Sequence, residues 1–352
     1  MSLEIPKTFK KAVFESNGAA AKYVDGTIPE IGHDEALVKV LYAGVCHTDL
    51  AVLHDELPWQ TPYPYVGGHE GSGVVVKVGA GVTHVKPGSK VGIRMVNGMC
   101  NQCESCLNNR EYICINQKMV GIFLSGTFEQ YTALKAQDLL PLPENIDLAA
   151  AAPIMCAGVT AYRALKKTNP VVGQFAAIIG AGGGVGSFAV QYAKALGLRV
   201  VAIDHPSKRE HCLKIGAEVF IDGFSEKIVE EVQTATAGGA HVVINFTASP
   251  KAVNTATQYV RAAGTIVLVG AMDEKKGTTA LSLDNNLIAT RCLTVTGSMT
   301  GTRQDTKEAL DLSARGVVKI PIEVRPFSAL DEALHSLKNS AVAGRVVLDL
   351  WK

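Results

Sequence analysis

The stretch Phe175-Ala-Ala-Ile-Ile-Gly-Ala-Gly-Gly-Gly-Val-Gly186 decides the fold of this chain. Its first five residues form a continuous apolar run, which is expected of a strand buried on both faces of a parallel sheet. Glycines let a loop approach a pyrophosphate closely, and the helix predicted over Ser187–Leu196 adds N–H donors and a favourable dipole. The unit predicts a dinucleotide site, although an ordinary strand-to-helix turn is the simpler alternative.

Further strands and helices alternate after this unit. Helical stretches such as Glu226–Thr236 separate the short apolar runs. Alternation of this kind predicts an α/β unit with a doubly wound parallel sheet. The predicted strands are Arg199–Ile203, Val219–Ile221, Val242–Ile244 and Thr265–Val269.

The glycine loop departs from the standard fingerprint. Gly180 and Gly182 fit its first two glycines, but Val185 occupies the third position, so the loop is one residue longer than usual. Asp204 lies eighteen residues after Gly186, at the end of the next predicted strand. A carboxylate there accepts from the ribose hydroxyls and repels a 2′-phosphate, which predicts NAD over NADP. Lys208 and Arg209 argue the other way, because either cation neutralises such a phosphate.

The chain before residue 159 has a different texture. Short β-branched runs at Lys11–Phe14, Glu35–Leu41 and Val74–Val78 are separated by Gly and Pro. These predict a glycine-rich, β-dominated domain, with a helix beginning at Thr48.

Four cysteines lie close together between residues 100 and 114. Cys100, Cys103 and Cys106 are spaced by three, and Cys114 follows eight residues later, among polar neighbours. This spacing predicts a closed, structural zinc site in an exposed lobe too small to build its own core. An iron–sulfur cluster and a pair of disulfides are the alternatives.

A second metal set is spread along the chain. Cys46, His69 and Cys156 supply two thiolates and one imidazole, the donors of a catalytic zinc with an open fourth position. Buried cysteines that serve only as small apolar residues are the alternative.

Composition narrows the class of protein. The 352 residues suffice for two domains, and a formal net charge of +1 gives no reason to expect nucleic acid or a membrane surface as partner. No apolar run reaches the length of a membrane span, and Met1–Pro6 lacks the regions of a secretory signal. We therefore expect a cytoplasmic protein whose eight cysteines are thiols or metal ligands.

The segment around His69 carries a family resemblance. Gly68-His-Glu-Gly-Ser-Gly73, followed by Gly79 and Val82, resembles the signature of the zinc-containing medium-chain alcohol dehydrogenases. The sequence around Cys46 is similar to that of the yeast-type branch. The four-cysteine lobe and the loop ending in Gly183-Gly-Val-Gly186 also resemble that branch.

The resemblance implies a domain plan and a reaction. Residues 1–158 and 299–352 would form a GroES-like catalytic domain with a structural zinc lobe at about 97–116, and residues 159–298 a Rossmann domain. Hydride would pass between a primary alcohol, or its aldehyde, and NAD, with one catalytic and one structural zinc per chain and a homotetrameric assembly. The alternatives are a polyol or secondary-alcohol dehydrogenase of the same superfamily and a catalytically silent NAD-binding protein.

The resemblance also implies roles for residues beside the ligands. Asp49 would orient the His69 imidazole, or only cap a helix, and Glu70 would approach the metal, or be a buried paired carboxylate. Thr48 would carry the alcohol proton away. The implied cofactor contacts are His47 and Arg345 at the pyrophosphate and Gly180, Gly183, Gly184, Val185, Gly186, Asp204 and Lys208 around the nucleotide.

Two departures from the yeast-type pattern bear on chemistry. Ala51 occupies the position of the histidine that usually ends the proton relay, so His54 or water is predicted to release the proton. Leu57 and Met95 replace bulky tryptophans, which predicts a larger pocket and a preference for aromatic or longer-chain alcohols over ethanol. Thr127 and Met299 are predicted to line the same pocket, and Phe128 to lie there or in the core.

Overall fold

The chain divides into two structural units. The first comprises Met1–Val159, Gly301–Arg315 and Pro321–Lys352, and the second comprises Thr160–Thr300 and Gly316–Ile320. The computed structural model describes residues 4–57, 59, 61–270, 283–319, 321–339 and 342–352. Met1–Leu3, part of the segment read for a secretory signal, therefore lies outside the described residues.

Strands dominate the first part of the first unit, because its β-branched runs are short and are broken by Gly and Pro. Its strands are β1 (Thr8–Val13), β2 (Lys22–Thr27), β3 (Glu35–Val45), β4 (Gly71–Val78), β5 (Lys90–Ile93), β6 (Val96–Asn97), β7 (Lys118–Met119), β8 (Tyr131–Lys135) and β9 (Leu140–Pro141). Its helices are α1 (His47–Leu53), α2 (Glu104–Leu107) and α3 (Leu148–Pro153).

The second unit alternates strand and helix as predicted. Its strands are β10 (Phe175–Ile179), β11 (Arg199–Asp204), β12 (Val219–Asp222), β13 (Ala240–Asn245), β14 (Val260–Leu268) and β15 (Thr294–Gly297). The helices from its start onwards are α4 (Val159–Lys166), α5 (Gly184–Ala195), α6 (Arg209–Lys214), α7 (Ile228–Ala235), α8 (Pro250–Tyr259) and α9 (Asn285–Thr290). The strands pair in the order β12-β11-β10-β13-β14-β15, and every pairing is parallel. All five residues of β10 are buried, which explains its uninterrupted apolar sequence.

The tail returns to the first unit. It contributes α10 (Arg303–Ala314), β16 (Ile322–Pro326), α11 (Leu330–Lys338) and β17 (Arg345–Asp349). Strand β17 pairs with β3, and the sheet runs β16-β17-β3-β4-β5-β9 with β8 also on β3. The apolar core beneath this sheet includes Val40, Val75, Phe128, Leu330 and Val346. The predicted α/β architecture, a β-dominated domain plus a doubly wound parallel sheet, is confirmed.

A continuous helical run crosses the junction in sequence between the two units. Helix α3 passes into a π-helical segment, Ile154–Gly158, and then into α4. By length and composition, Leu148–Lys166 is apolar enough to cross a membrane, but 72% of it is buried inside the protein. That burial is typical of a core helix rather than a membrane span. Single π-helical turns occur frequently at functional sites, and this one carries Cys156.

Candidate active site

The fold of the first unit brings the three widely spaced metal ligands together. Cys46 is the N-cap residue between β3 and α1, His69 precedes β4, and Cys156 lies in the π-helical segment. The ligand atoms of these three residues and of Glu70 all lie within 4.8 Å of one another. His69 Nε2 is 3.2 Å from the Cys156 Sγ. Such spacing suits donors around a single ion.

The electrostatics of this set favour a cation. The hydrogen bond from Cys156 lowers the pKa of Cys46 well below its usual value, and the charges of Arg345 and His69 act in the same direction. Burial alone lowers the pKa of His69, but the Asp49 carboxylate outweighs it and raises the pKa to about 10. Glu70 is fully buried, and its Oε2 has no hydrogen-bond partner among the described residues. A donor set that holds thiolates and a buried carboxylate fits a divalent zinc ion.

Asp49 contacts two different groups with its two oxygens. Oδ1 lies 2.7 Å from His69 Nδ1, and Oδ2 accepts the backbone N–H of Cys46 at 2.8 Å. The orienting contact and the helix-capping contact, considered as alternatives from the sequence, therefore coexist. Because Nδ1 faces a carboxylate, the Nε2 lone pair points to the ligand set.

Glu70 is a buried, paired carboxylate. Its Oε1 accepts a hydrogen bond from Nη2 of Arg345, which is 4% exposed and lies at the start of β17. Gly44 makes this placement possible, since a Cβ there would lie 2.2 Å from Glu70 Oε1. Arg345, which the resemblance places at the pyrophosphate, thus contacts Glu70 in the first unit.

The proposed proton carriers are spread along α1. Thr48 Oγ1 lies 3.8 Å from the Cys46 Sγ, and His47 is exposed beside it. Ala51 is buried within the helix. His54 follows the end of the helix, and its ring faces Gly18. His54 lies six positions after Thr48, which corresponds to a rise of about 9 Å along an α-helix.

The predicted pocket residues lie in different surroundings. Leu57 is half-buried against the core cluster that contains Met95, which is 7% exposed. Thr127 is fully buried, and its hydroxyl donates to the carbonyl of Glu70 at 3.5 Å. Phe128 is fully buried in the core. Met299 belongs to the second unit.

The four-cysteine lobe forms a second donor set. The sulfurs of Cys100, Cys103, Cys106 and Cys114 lie within 4.8 Å of one another. Cys114 is 3.4 Å from Cys100 and 3.8 Å from Cys103, too far for disulfides. Four ligands about 2.3 Å from one ion are about 3.8 Å apart, so the lobe fits a tetrahedral zinc. Backbone N–H groups lower the pKa of Cys100 to about 6, whereas burial raises that of Cys106 to about 12.

The glycine loop of the second unit connects β10 to α5. Gly180 has a φ of +80°, and Gly183 is the N-cap of α5. A Cβ on Gly186 would lie 2.0 Å from the carbonyl oxygen of Gly180, so only glycine fits where the helix meets the strand. Half-buried Gly184 and Val185 form the first helical turn. Their free N–H groups suit a pyrophosphate.

Asp204 closes the loop from the neighbouring strand. Its Oδ2 accepts the Gly182 N–H at 2.7 Å, and its Oδ1 accepts the His205 N–H at 2.7 Å. Each oxygen keeps a second lone pair for a ribose hydroxyl. The Lys208 side chain packs against the same loop, since a Cβ on Gly182 would lie 2.7 Å from the Lys208 Cβ. The hydrogen bond between Asp204 and the Gly182 N–H of the glycine loop was not predicted from the sequence.

Comparison with known proteins agrees with both units. Residues 32–144 match the alcohol dehydrogenase GroES-like domain, and residues 184–315 match the zinc-binding dehydrogenase domain. The chain is 40% identical to alcohol dehydrogenase 2 of Caenorhabditis elegans over 99% of this chain and 98% of that one. It is 42% identical to the alcohol dehydrogenase of Schizosaccharomyces pombe, over 99% of this chain and 100% of that one.

A solved structure gives the same answer. The chain is similar to acetophenone reductase from Geotrichum candidum in complex with NAD, with a TM-score of 0.85 and 29% identity over 98% of both chains. The predictions of NAD and of one catalytic and one structural zinc are confirmed. The chain belongs to the zinc-containing medium-chain alcohol dehydrogenase family, as an NAD-dependent zinc alcohol dehydrogenase.

Proposed function

We propose that this enzyme oxidises aromatic or longer-chain primary alcohols, and reduces their aldehydes, in preference to ethanol. The observation that carries the proposal is the pair Leu57 and Met95, which share one apolar cluster and stand where yeast-type enzymes have tryptophans. Both side chains are smaller or more flexible than an indole, so they leave room for a larger substrate. The relative named for acetophenone supports an aromatic substrate.

We propose Cys46, His69 and Cys156 as the ligands of the catalytic zinc, and Cys100, Cys103, Cys106 and Cys114 as those of the structural zinc. Zinc at the first set supplies a Lewis acid that lowers the pKa of an alcohol and polarises a carbonyl. Asp49 keeps the His69 ring in the orientation that directs Nε2 to the set. The negative charge of Glu70, beside this set, is balanced by its ion pair with Arg345. Zinc content of about two per chain, falling to one in Cys156→Ser, is expected.

The proton would leave through the Thr48 hydroxyl. His54 or water then completes the path, since Ala51 offers no imidazole. The experiment is the pH–rate profile of His54→Gln beside that of wild type. A shifted profile supports His54, and an unchanged profile assigns the step to water.

We propose that the first unit is the catalytic domain and that the second binds NAD through Gly180, Gly183–Gly186 and Asp204, with Lys208 beside them. His47 and Arg345 are proposed contacts of the pyrophosphate, and Thr127 and Met299 of the substrate. Separate matches of residues 32–144 to a GroES-like domain and of residues 184–315 to a zinc-binding dehydrogenase domain support this division.

We further propose a cytoplasmic homotetramer. None of its eight cysteines, all within the described residues, forms a disulfide, which suits a reducing compartment. Light scattering should give four times the 37.2 kDa chain mass. A monomeric mass would contradict the assembly.

The substrate proposal is tested by kcat/KM with NAD for benzyl alcohol, hexanol, ethanol and 1-phenylethanol. We expect benzyl alcohol to exceed ethanol, and Leu57→Trp to reduce that ratio at least about 10-fold, since filling a pocket by a few carbons changes discrimination by about 1–3 kcal/mol. Leu337→Trp is the control, because Leu337 is also half-buried against this core but belongs to α11. Higher values for ethanol would refute the proposal. Preference for 1-phenylethanol would favour the secondary-alcohol alternative, which the acetophenone reductase likeness makes the second candidate.

A further inference from the structure

Several buried charged residues of the first unit lie outside the proposed catalytic and lobe ligand sets. Arg94, Glu111 and Asp138 are 4%, 6% and 1% exposed. Burying such groups is costly unless they are paired or hydrogen-bonded. Burial lowers the pKa of Arg94 to about 10, while Asp138 and Glu111 oppose that change. Each of these three residues donates or accepts a hydrogen bond at the zinc lobe or next to α10.

Glu111 fastens the zinc lobe to the start of α10. It begins the 3-10 turn Glu111–Ile113, directly before Cys114, and its Oε1 accepts the backbone N–H of Arg303 at 2.7 Å. The Arg303 guanidinium donates to Asn101 Oδ1 at 3.0 Å, and Asn101 follows Cys100. Both ends of the lobe are therefore attached to the first residue of one helix.

Arg94, which follows β5, and Asp138 bind the chain near the start of α10 and near the start of the lobe. Arg94 Nη1 donates to the carbonyl of Gly301 at 3.1 Å, two residues before α10. Asp138 Oδ2 accepts the N–H of Gly98 at 2.6 Å, two residues before Cys100 at the start of the lobe. The helix start and the lobe start thus have a shared buried anchor in the first unit.

Helix α10 transmits this attachment to the catalytic set. It packs against the π-helical segment Ile154–Gly158, which holds Cys156. A capping box between Thr302 and Asp305 fixes its first turn, and Asn145 holds its last, donating to the Ala314 carbonyl at 2.9 Å. An α-helix is a stiff element, so a displacement of its first turn also shifts the face of α10 that packs against the Cys156 segment.

We propose that Glu111 is a positioning residue: it holds α10 against the Cys156 segment, so that the metal-filled lobe keeps the third ligand of the catalytic zinc in place. The inference rests on the proposed role of Cys156 as that ligand. It gives the lobe a part in the chemistry beyond its own folding.

The test is the rate at which each zinc passes to a chromogenic chelator. Cys156→Ser identifies the catalytic-site phase, because that phase is lost or accelerated while the lobe phase remains. In Glu111→Ala, we expect the catalytic-site phase to be at least about 10-fold faster than in wild type. Losing a group that orients a metal ligand typically weakens metal affinity by about 10–100-fold. Glu111→Gln keeps an acceptor for the Arg303 N–H and should stay within about 3-fold of wild type.

Glu104→Ala is the matched control, since Glu104 is an exposed carboxylate of the same lobe. A wild-type catalytic-site rate in Glu111→Ala, with or without faster lobe release, would overturn the proposal. Should Glu111→Ala not fold, Glu111→Asp decides, because its carboxylate is too short to reach the Arg303 N–H: fast catalytic-site release supports the proposal and a wild-type rate overturns it. Failure of the ligand assignment itself would appear separately, as two unaltered zinc phases in Cys156→Ser.

Discussion

Glu129 makes the stability of the first unit depend on pH. The side chain is 4% exposed at the edge of the sheet, and burial raises the pKa of its carboxyl from 4.5 to about 7, against the opposing effects of the Ser125 hydroxyl and Lys11. Between these two values the unfolded chain has released the proton while the folded chain retains it. The contribution of Glu129 to stability is therefore fully present below about pH 4.5 and is lost as pH rises to about 7.

The size of the effect follows from the two pKa values. A difference of about 2.5 units corresponds to about 3.5 kcal/mol, at about 1.4 kcal/mol per unit. Glu129→Gln has the same shape and no proton to release, so it should gain stability over wild type as pH rises. For a unit of this size, about 2–4 °C per kcal/mol predicts a gap that widens by roughly 5–10 °C between pH 5 and pH 8.

The assay is the thermal midpoint of wild type and Glu129→Gln at several pH values. The difference between the two proteins is the quantity to follow, because the zinc ligands titrate alike in both. Glu144→Gln, an exposed carboxylate of the same unit, should track wild type throughout. A gap that stays constant, or narrows, as pH rises would show that Glu129 is ionised in the fold.

Other predictions concern the two sites. Asp49→Asn loses the charge that orients His69, so the affinity for the catalytic zinc, measured by competition with a chelator, should fall about 10–100-fold. An unchanged affinity would mean that Asp49 only caps the helix. Gly44→Ala places a Cβ against the Glu70 carboxylate and should lower stability by about 3–5 kcal/mol in chemical denaturation, whereas Gly297→Ala meets open space and serves as control. Asp204→Ala should lower the ratio of kcat/KM for NAD to kcat/KM for NADP at least about 10-fold, because the lost loop contact affects both cofactors whereas the lost ribose contact affects NAD; equal wild-type values for the two cofactors would contradict this reasoning.

The second unit was the easier part to predict from sequence. Strand β10 was predicted over Phe175–Ile179 and has those bounds, and the helix predicted over Glu226–Thr236 is observed as Ile228–Ala235. Buried parallel strands leave continuous apolar runs, so local sequence reports them directly. Helix α11 was not predicted, although its leucines recur at helical spacing.

The active site was harder to predict, because its contacts join distant residues. The pairing of Arg345 with Glu70 spans 275 positions, and no local pattern signals it. The π-helical turn at Cys156 likewise has no periodicity that distinguishes it from α-helix. The helix-capping contact of Asp49 could be predicted from the sequence, because an acidic residue three positions after an N-cap residue is a known capping arrangement.

The glycines around His69 explain why that segment was nevertheless informative. Gly68 has a φ of +87°, and a Cβ there would lie 2.5 Å from Thr127 Oγ1. A Cβ on Gly44 would displace Glu70 from Arg345. A side chain at Gly68 would displace Thr127 and Phe128, and one at Gly44 would displace Glu70. The surroundings of the metal site therefore require glycine at both positions. A sequence pattern can therefore report a three-dimensional site when it records the space that the site needs.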